Sequence, residues 1–105
     1  MGKKQIDKTL KIFVDRAKKQ FRAKQVILFG SYARGEANEY SDVDCIIVAD
    51  SFRTMPETKR LDAIYPIIRD LDPDFHVFGY TPDELLKVDP LSTLAEIKKT
   101  GVTLL

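Results

Sequence analysis

The stretch that most restricts how this chain can fold is LFGSYARGEANEYSDVDCIIV, Leu28 to Val48. An apolar run stops at Gly30-Ser31, ten mostly polar residues follow, and Asp42 and Asp44 then open a second apolar run. The runs on either side, QVILF and VDCIIVA, are β-branched and aromatic, so each reads as a strand. The second is apolar on both faces after Asp44, which places it in the middle of a sheet. Two like charges at the head of such a strand either end a surface loop or await a cation between them.

The surrounding sequence supplies layers for that sheet. Ile6, Leu10, Phe13, Val14, Ala17 and Phe21 recur at three- and four-residue steps, predicting an amphipathic helix over Gln5–Arg22. Lys4, Lys8, Lys11, Lys18 and Arg22 fall opposite that stripe, as a solvated face or as a dock for an acidic partner or a polynucleotide. Ser31 is the expected N-cap of a short helical turn that Gly35 closes. Pro56 can open a helix whose stripe Leu61, Ile64, Ile67, Ile68 and Leu71 runs to about residue 71, with Pro66 expected to kink it or end it early. A third strand spans Phe75–Tyr80 after a Pro turn. TPDELLKV, with Thr81 as N-cap, and STLAEIKKTG are short helices, and VTLL is a terminal edge strand. The expected fold is α/β (α+β), a small mixed sheet of about four strands flanked by helices, with residues 1–105 as a single domain.

Charge and cysteine content narrow the function classes. A net charge of +1 with 31% charged residues describes an ordinary soluble surface, not a coat for nucleic acid or a disordered chain. Nine cations against Asp7 and Asp15 give the first 25 residues +7, which leaves −6 for the rest. The single cysteine, Cys45, cannot form an internal bridge and reads as a small core residue. With no signal peptide or apolar run of membrane-spanning length, the cytoplasm is the expected compartment.

In a strand, residues i and i+2 share a face, so the carboxylates of Asp42 and Asp44 lie close together. Oxygen ligands at this spacing suit a hard divalent ion, and Mg²⁺ is the usual occupant when phosphates complete its shell. Gly30 lets a phosphate approach the backbone, and a helix starting at Ser31 offers N–H groups and a hydroxyl. This is the inventory of phosphoryl or nucleotidyl transfer. A lone DVD or GS means little, but the four fixed residues together match by chance in roughly one chain of this length in a thousand.

Gly30-Ser31, ten residues, then Asp42-x-Asp44 resembles the signature of the minimal nucleotidyltransferases in the DNA polymerase beta-like superfamily. The wording around it, GSYARGEANEYSDVD, is also similar. The resemblance implies that Gly30 and Ser31 hold the triphosphate of an NTP such as ATP, and that Asp42 and Asp44 bind two Mg²⁺ ions. Arg34 would contact a phosphate or form an ion pair with a neighbouring acid. Tyr40 is expected to anchor the loop and Ser41 to order it. Such enzymes carry a third carboxylate on the neighbouring strand. Counting back from YTPDEL, that place falls on His76, with Asp74 two residues earlier on the same face. Three alternatives stand: Asp74 supplies the acid, His76 acts as base or ligand, or the site is degraded.

The resemblance further implies transfer of AMP to a hydroxyl, in the setting of a toxin–antitoxin pair whose HEPN partner is an RNase carrying an acceptor tyrosine. The alternative is a catalytically weakened antitoxin that neutralises its partner by binding alone. Transfer to a small molecule, as in aminoglycoside-modifying relatives, ranks last because those need an extra domain. A homodimer or a hetero-oligomer would each be compatible with an exposed edge at VTLL.

Overall fold

A computed structural model describes residues 3–87, 89 and 91–105. The side chains of Lys3, Lys4 and Gln5, and Val88 at the end of the TPDELLKV reading, lie outside the described residues. The chain runs α1 (Lys3–Phe21), β1 (Gln25–Phe29), α2 (Gly30–Arg34), β2 (Val43–Val48), a 3-10 turn (Asp50–Thr54), α3 (Glu57–Ile68), β3 (Phe75–Tyr80), α4 (Pro82–Leu86), α5 (Thr93–Thr100) and β4 (Val102–Thr103). No helix among the described residues is long and apolar enough to cross a membrane.

The sheet has the order β3-β2-β1-β4, so β2 is interior as its two-sided hydrophobicity requires. β1 pairs antiparallel with β2 and with β4, while β3 runs parallel to β2. That parallel step needs a crossover, which the 3-10 turn and α3 provide.

Side-chain alternation splits the core between the two faces. On one face Val26, Leu28, Val43, Cys45, Ile47, Phe75 and Val77 meet Phe13, Ala17 and Phe21 of α1, Phe52 of the 3-10 turn, and Ile64 and Ile67 of α3. On the other, Ile27, Ile46 and Val48 meet Leu85 of α4 with Leu94 and Ile97 of α5. Asp44 and His76 belong by parity to this second face, at the end of the sheet where β2 and β3 begin.

The stripe expected of α1 is the stripe that is buried, and Lys8, Lys11, Lys18 and Arg22 are exposed. The helix ends at Arg22, whose φ of 53° puts it in the left-handed region while the Ala23 N–H donates to the Ala17 carbonyl. α4 opens with a capping box: the Thr81 hydroxyl accepts from the Glu84 N–H, and the Glu84 carboxylate accepts from the Thr81 N–H. Ser92 caps α5 in the same manner through the Ala95 N–H.

Three boundaries differ from the sequence reading. α3 stops at Ile68, three residues short of the expected end, with Pro66 inside its last turn, where the ring removes a donor. Leu71 still packs against the core, but from outside the helix. β4 covers only Val102–Thr103, because Leu104 and Leu105 both donate to the Val26 carbonyl and their side chains pack inward. Finally, α2 starts at Gly30 and not after Ser31. Phe29 is its N-cap and gives no side-chain hydrogen bond, so Ser31 is not the cap.

Candidate active site

The site is built around the Asp44 carboxylate. Phe29 and His76 are its cross-strand neighbours, on β1 and β3 respectively. Its two oxygens face different ways. Oδ2 lies against the α-carbon of Gly30, and Oδ1 is 3.5 Å from Nδ1 of His76.

Gly30 is required twice over. Its φ of 75° is one that L side chains rarely adopt, and a Cβ there would collide with Asp44 Oδ2 while lying 3.1 Å from Cγ. The glycine of the Gly-Ser pair therefore makes room for the second aspartate of the Asp-x-Asp pair. Gly35, with φ of 73°, closes α2 as a left-handed C-cap.

Asp42 precedes β2 and is exposed. The loop that delivers it is ordered locally: Asn38 Oδ1 accepts from the Tyr40 N–H at 2.8 Å, and the Ser41 hydroxyl accepts from the Asn38 N–H at 3.0 Å. Ser41 thus orders the loop as expected. Tyr40 does not anchor it; its side chain is 87% exposed, since the turn is held by Asn38, Ser41 and the Tyr40 backbone N–H.

The Asp44 carboxyl is held above the ordinary carboxylate range, chiefly by desolvation, with the charge of Asp42 adding to the shift. The imidazole of His76 and the guanidinium of Arg34 pull the other way. Arg34 itself donates through Nε to Glu36 at 3.0 Å on an exposed surface, so the ion-pair reading describes its contact in this structure.

Asp74 is exposed at the foot of β3, and its carbonyl accepts from the Val43 N–H at 2.8 Å. Asp42, Asp74 and His76 line one open cleft of roughly 440 Å³ together with Tyr65, Ile68, Arg69 and Phe75. Tyr65 and Arg69 of this wall escaped the sequence reading, which followed only the apolar stripe of the helix that includes Ile68. Tyr65 and Arg69 stand four apart on its exposed side, and that spacing was the available signal.

Among the described residues no three His, Cys, Asp or Glu side chains are gathered tightly enough to hold a metal by themselves. The donors present nevertheless fit Mg²⁺, which is usually held by one or two carboxylates plus substrate phosphates and not by an all-protein cage. Asp42 and Asp44 would be those carboxylates, and the unfavourable repulsion between them is what a cation would relieve.

A mixed α/β domain with an Asp-x-Asp strand packed on a Gly-Ser turn defines the class of two-carboxylate phosphate-transfer sites. Residues 6–99 match the nucleotidyltransferase domain family, and the chain belongs to it. A "Putative protein adenylyltransferase" of Methanocaldococcus jannaschii is 38% identical over 77 residues, covering 71% of this chain and 49% of that protein. A second protein of that name and organism is 50% identical over 46 residues, covering 42% of this chain and 46% of its own length. The chain thus spans about half the length of these relatives. A solved "putative nucleotidyltransferase" from Sulfolobus solfataricus superposes with a TM-score of 0.63 at 20% identity, covering 98% of this chain and 87% of that one, and so shares the fold.

Proposed function

We propose that this domain is a Mg²⁺-dependent nucleotidyltransferase that moves AMP from ATP to a hydroxyl of a protein acceptor and releases pyrophosphate. The observation that carries the reading is the lodging of Asp44 between Gly30 and His76, with Asp42 close enough to act on its charge. The two halves of the motif form one site.

In this reading Gly30 and Ser31 hold the triphosphate, and Asp42 and Asp44 hold two Mg²⁺ ions. The ions supply charge neutralisation for the attacking and leaving oxygens. The acceptor hydroxyl attacks the α-phosphorus, the new P–O bond forms as the α–β anhydride breaks, and the hydroxyl proton passes to Asp74 or to His76 at the cleft wall. The similarity to proteins named adenylyltransferases supports AMP as the group moved. The resemblance of the motif to antitoxin-type relatives favours a HEPN-family RNase as partner and one of its tyrosines as acceptor.

A second reading has its own observation. His76 stands opposite Asp44 at the place where such enzymes keep a third acid, which favours a binding-only antitoxin. One experiment separates them: incubation with α-labelled ATP, Mg²⁺ and the protein encoded beside this gene, with Asp42→Ala, Asp74→Ala and His76→Ala in parallel. Label transfer that Asp42→Ala abolishes supports the enzyme, and the third position is whichever of Asp74 and His76 is also required. Tight partner binding with no transfer under any divalent metal overturns the enzyme in favour of the second reading.

A further inference from the structure

We infer that the cleft walled by Tyr65 and Arg69 is the entry for the acceptor, and that Arg69 selects a protein segment carrying an acidic side chain beside its hydroxyl. This rests on the proposed nucleotidyl transfer and names its acceptor class.

The argument begins with the two-sided environment of Asp44. One oxygen faces Gly30, on the β1 side, and the other faces His76, on the β3 side. A triphosphate held at Gly30-Ser31 places its leaving pyrophosphate toward β1. In-line displacement brings the attacking oxygen from the opposite side of the phosphorus, which is the side of β3 and the cleft. Asp42, Asp74 and His76 line that cleft, and His76 reaches from it to Asp44, 3.5 Å away, so a hydroxyl arriving there meets its proton acceptors.

The remaining wall decides what can enter. At roughly 440 Å³ the cleft has the size of a small-ligand site, about 300–1,000 Å³, and so takes one or two side chains of a larger acceptor. Tyr65 presents a ring that is 60% exposed, a platform for an aromatic acceptor. Arg69 is exposed beside it. Arg16, Arg34, Arg53 and Arg60 are each committed to a carboxylate, whereas the Arg69 guanidinium forms no hydrogen bond or ion pair among the described residues. The adjacent Asp70 is hydrogen-bonded by Arg16, and Arg69 acts on it only through its charge. A planar donor fork of this kind recognises a carboxylate or a phosphate. One guanidinium in a cleft it shares with Asp42 and Asp74 suits a segment with a single carboxylate better than a polynucleotide, whose closely spaced phosphates would meet both acids.

The test uses two synthetic tyrosine peptides, one flanked by glutamates and one by lysines, and a short RNA with a free 3′ hydroxyl. The full chain is compared with Arg69→Gln, Arg69→Glu and Tyr65→Ala. In the unaltered protein, transfer from α-labelled ATP should favour the acidic peptide at least tenfold in kcat/KM. Arg69→Gln should raise the KM for that peptide about tenfold, with kcat and the affinity for a fluorescent ATP analogue within twofold, and Arg69→Glu should reverse the preference. Loss of nucleotide affinity in Arg69→Gln would assign the residue to the triphosphate and overturn the proposal, as would equal use of the peptides or preferred transfer to the RNA. If the unaltered protein transfers nothing, amide shift perturbation decides the matter. Perturbation at Tyr65 and Arg69 by the acidic peptide, abolished in Arg69→Glu, keeps the docking site while the enzymatic reading falls; its absence overturns the docking site too.

Discussion

Replacing Gly30 by alanine tests whether the Gly-Ser turn exists to seat Asp44. Two costs are expected. The backbone cost follows from φ of 75°: a left-handed conformation costs an L residue about 1–2 kcal/mol, partly offset by the about 0.4–1 kcal/mol gained from a stiffer unfolded chain. The steric cost follows from the new methyl group, which overlaps Asp44 Oδ2 and lies 3.1 and 3.3 Å from its Cγ and Cβ. The carboxylate must rotate away, at about 0.5–1.5 kcal/mol for an off-rotamer side chain. Gly35→Ala is the internal control. Its φ of 73° imposes the same backbone cost, and nothing lies within 4 Å of the added carbon.

Gly35→Ala should therefore lose about 1 kcal/mol, seen as a fall in Tm of about 4–8 °C for a domain of this size. Gly30→Ala should lose about 2 kcal/mol, and at a temperature where both variants are folded its nucleotidyl transfer should drop by about a hundredfold, as for a reacting group displaced by about 1 Å. Adding Asp44→Ala to each variant should recover about 1 kcal/mol in the Gly30 background and nothing in the Gly35 background, measured as a double-mutant cycle by urea unfolding. Equal stability of the two glycine variants together with retained transfer in Gly30→Ala would refute the reasoning.

Arg60 is 6% exposed and donates to the carbonyls of Met55 and Gly79 and to Glu84 Oε1 at 2.6 Å, so Arg60→Ala should cost about 3 kcal/mol in urea unfolding by removing the donor to both carbonyls and the ion-pair partner of Glu84. The same contact holds the Glu84 carboxyl below its usual range; its stabilisation is present above the unfolded-state value and is lost as pH falls through the lower folded value, so Glu84→Gln should flatten the acid limb of a Tm-versus-pH curve. Gly79→Ala would set a methyl group 2.8 Å from Cζ of the fully buried Phe52 ring, and should lower stability by about 1–3 kcal/mol, an effect that Phe52→Leu in the same chain should relieve. The Cys45 thiol is buried and pushed to a higher pKa by desolvation, so its modification by an aromatic disulfide reagent should follow the rate of unfolding and not the thiolate fraction of an accessible cysteine.

The elements that could be read from the sequence were those with a local signal. β1 and β2 announced themselves by short β-branched runs, α1 by a stripe that reappears as the buried set, and α4 by Thr81, Pro82 and Glu84 at capping spacing. The start of α2 was misplaced by two residues because a serine after glycine is a strong capping signal, whereas the chain leaves β1 extended at Phe29 and turns at Gly30 itself. The cleft had only the four-residue spacing of Tyr65 and Arg69 as a local signal. Tyr65 and Arg69 reach it because the crossover between parallel strands returns the end of α3 to the foot of β3, more than twenty residues beyond the motif.

The two residues that compete for the third position also separate once the register is known. Counting back from YTPDEL placed His76 opposite the aspartate strand, and the parallel ladder sets it across from Asp44. Asp74 uses its carbonyl to accept from Val43 and lines the cleft. Side-chain parity puts both residues on one face but does not distinguish their tasks. His76 lies one strand from Asp44, while Asp74 precedes β3 on the wall shared with Tyr65 and Arg69. Transfer that needs Asp74 and not His76 would put the proton acceptor two residues before the position opposite Asp44, and the reverse dependence would put it at His76.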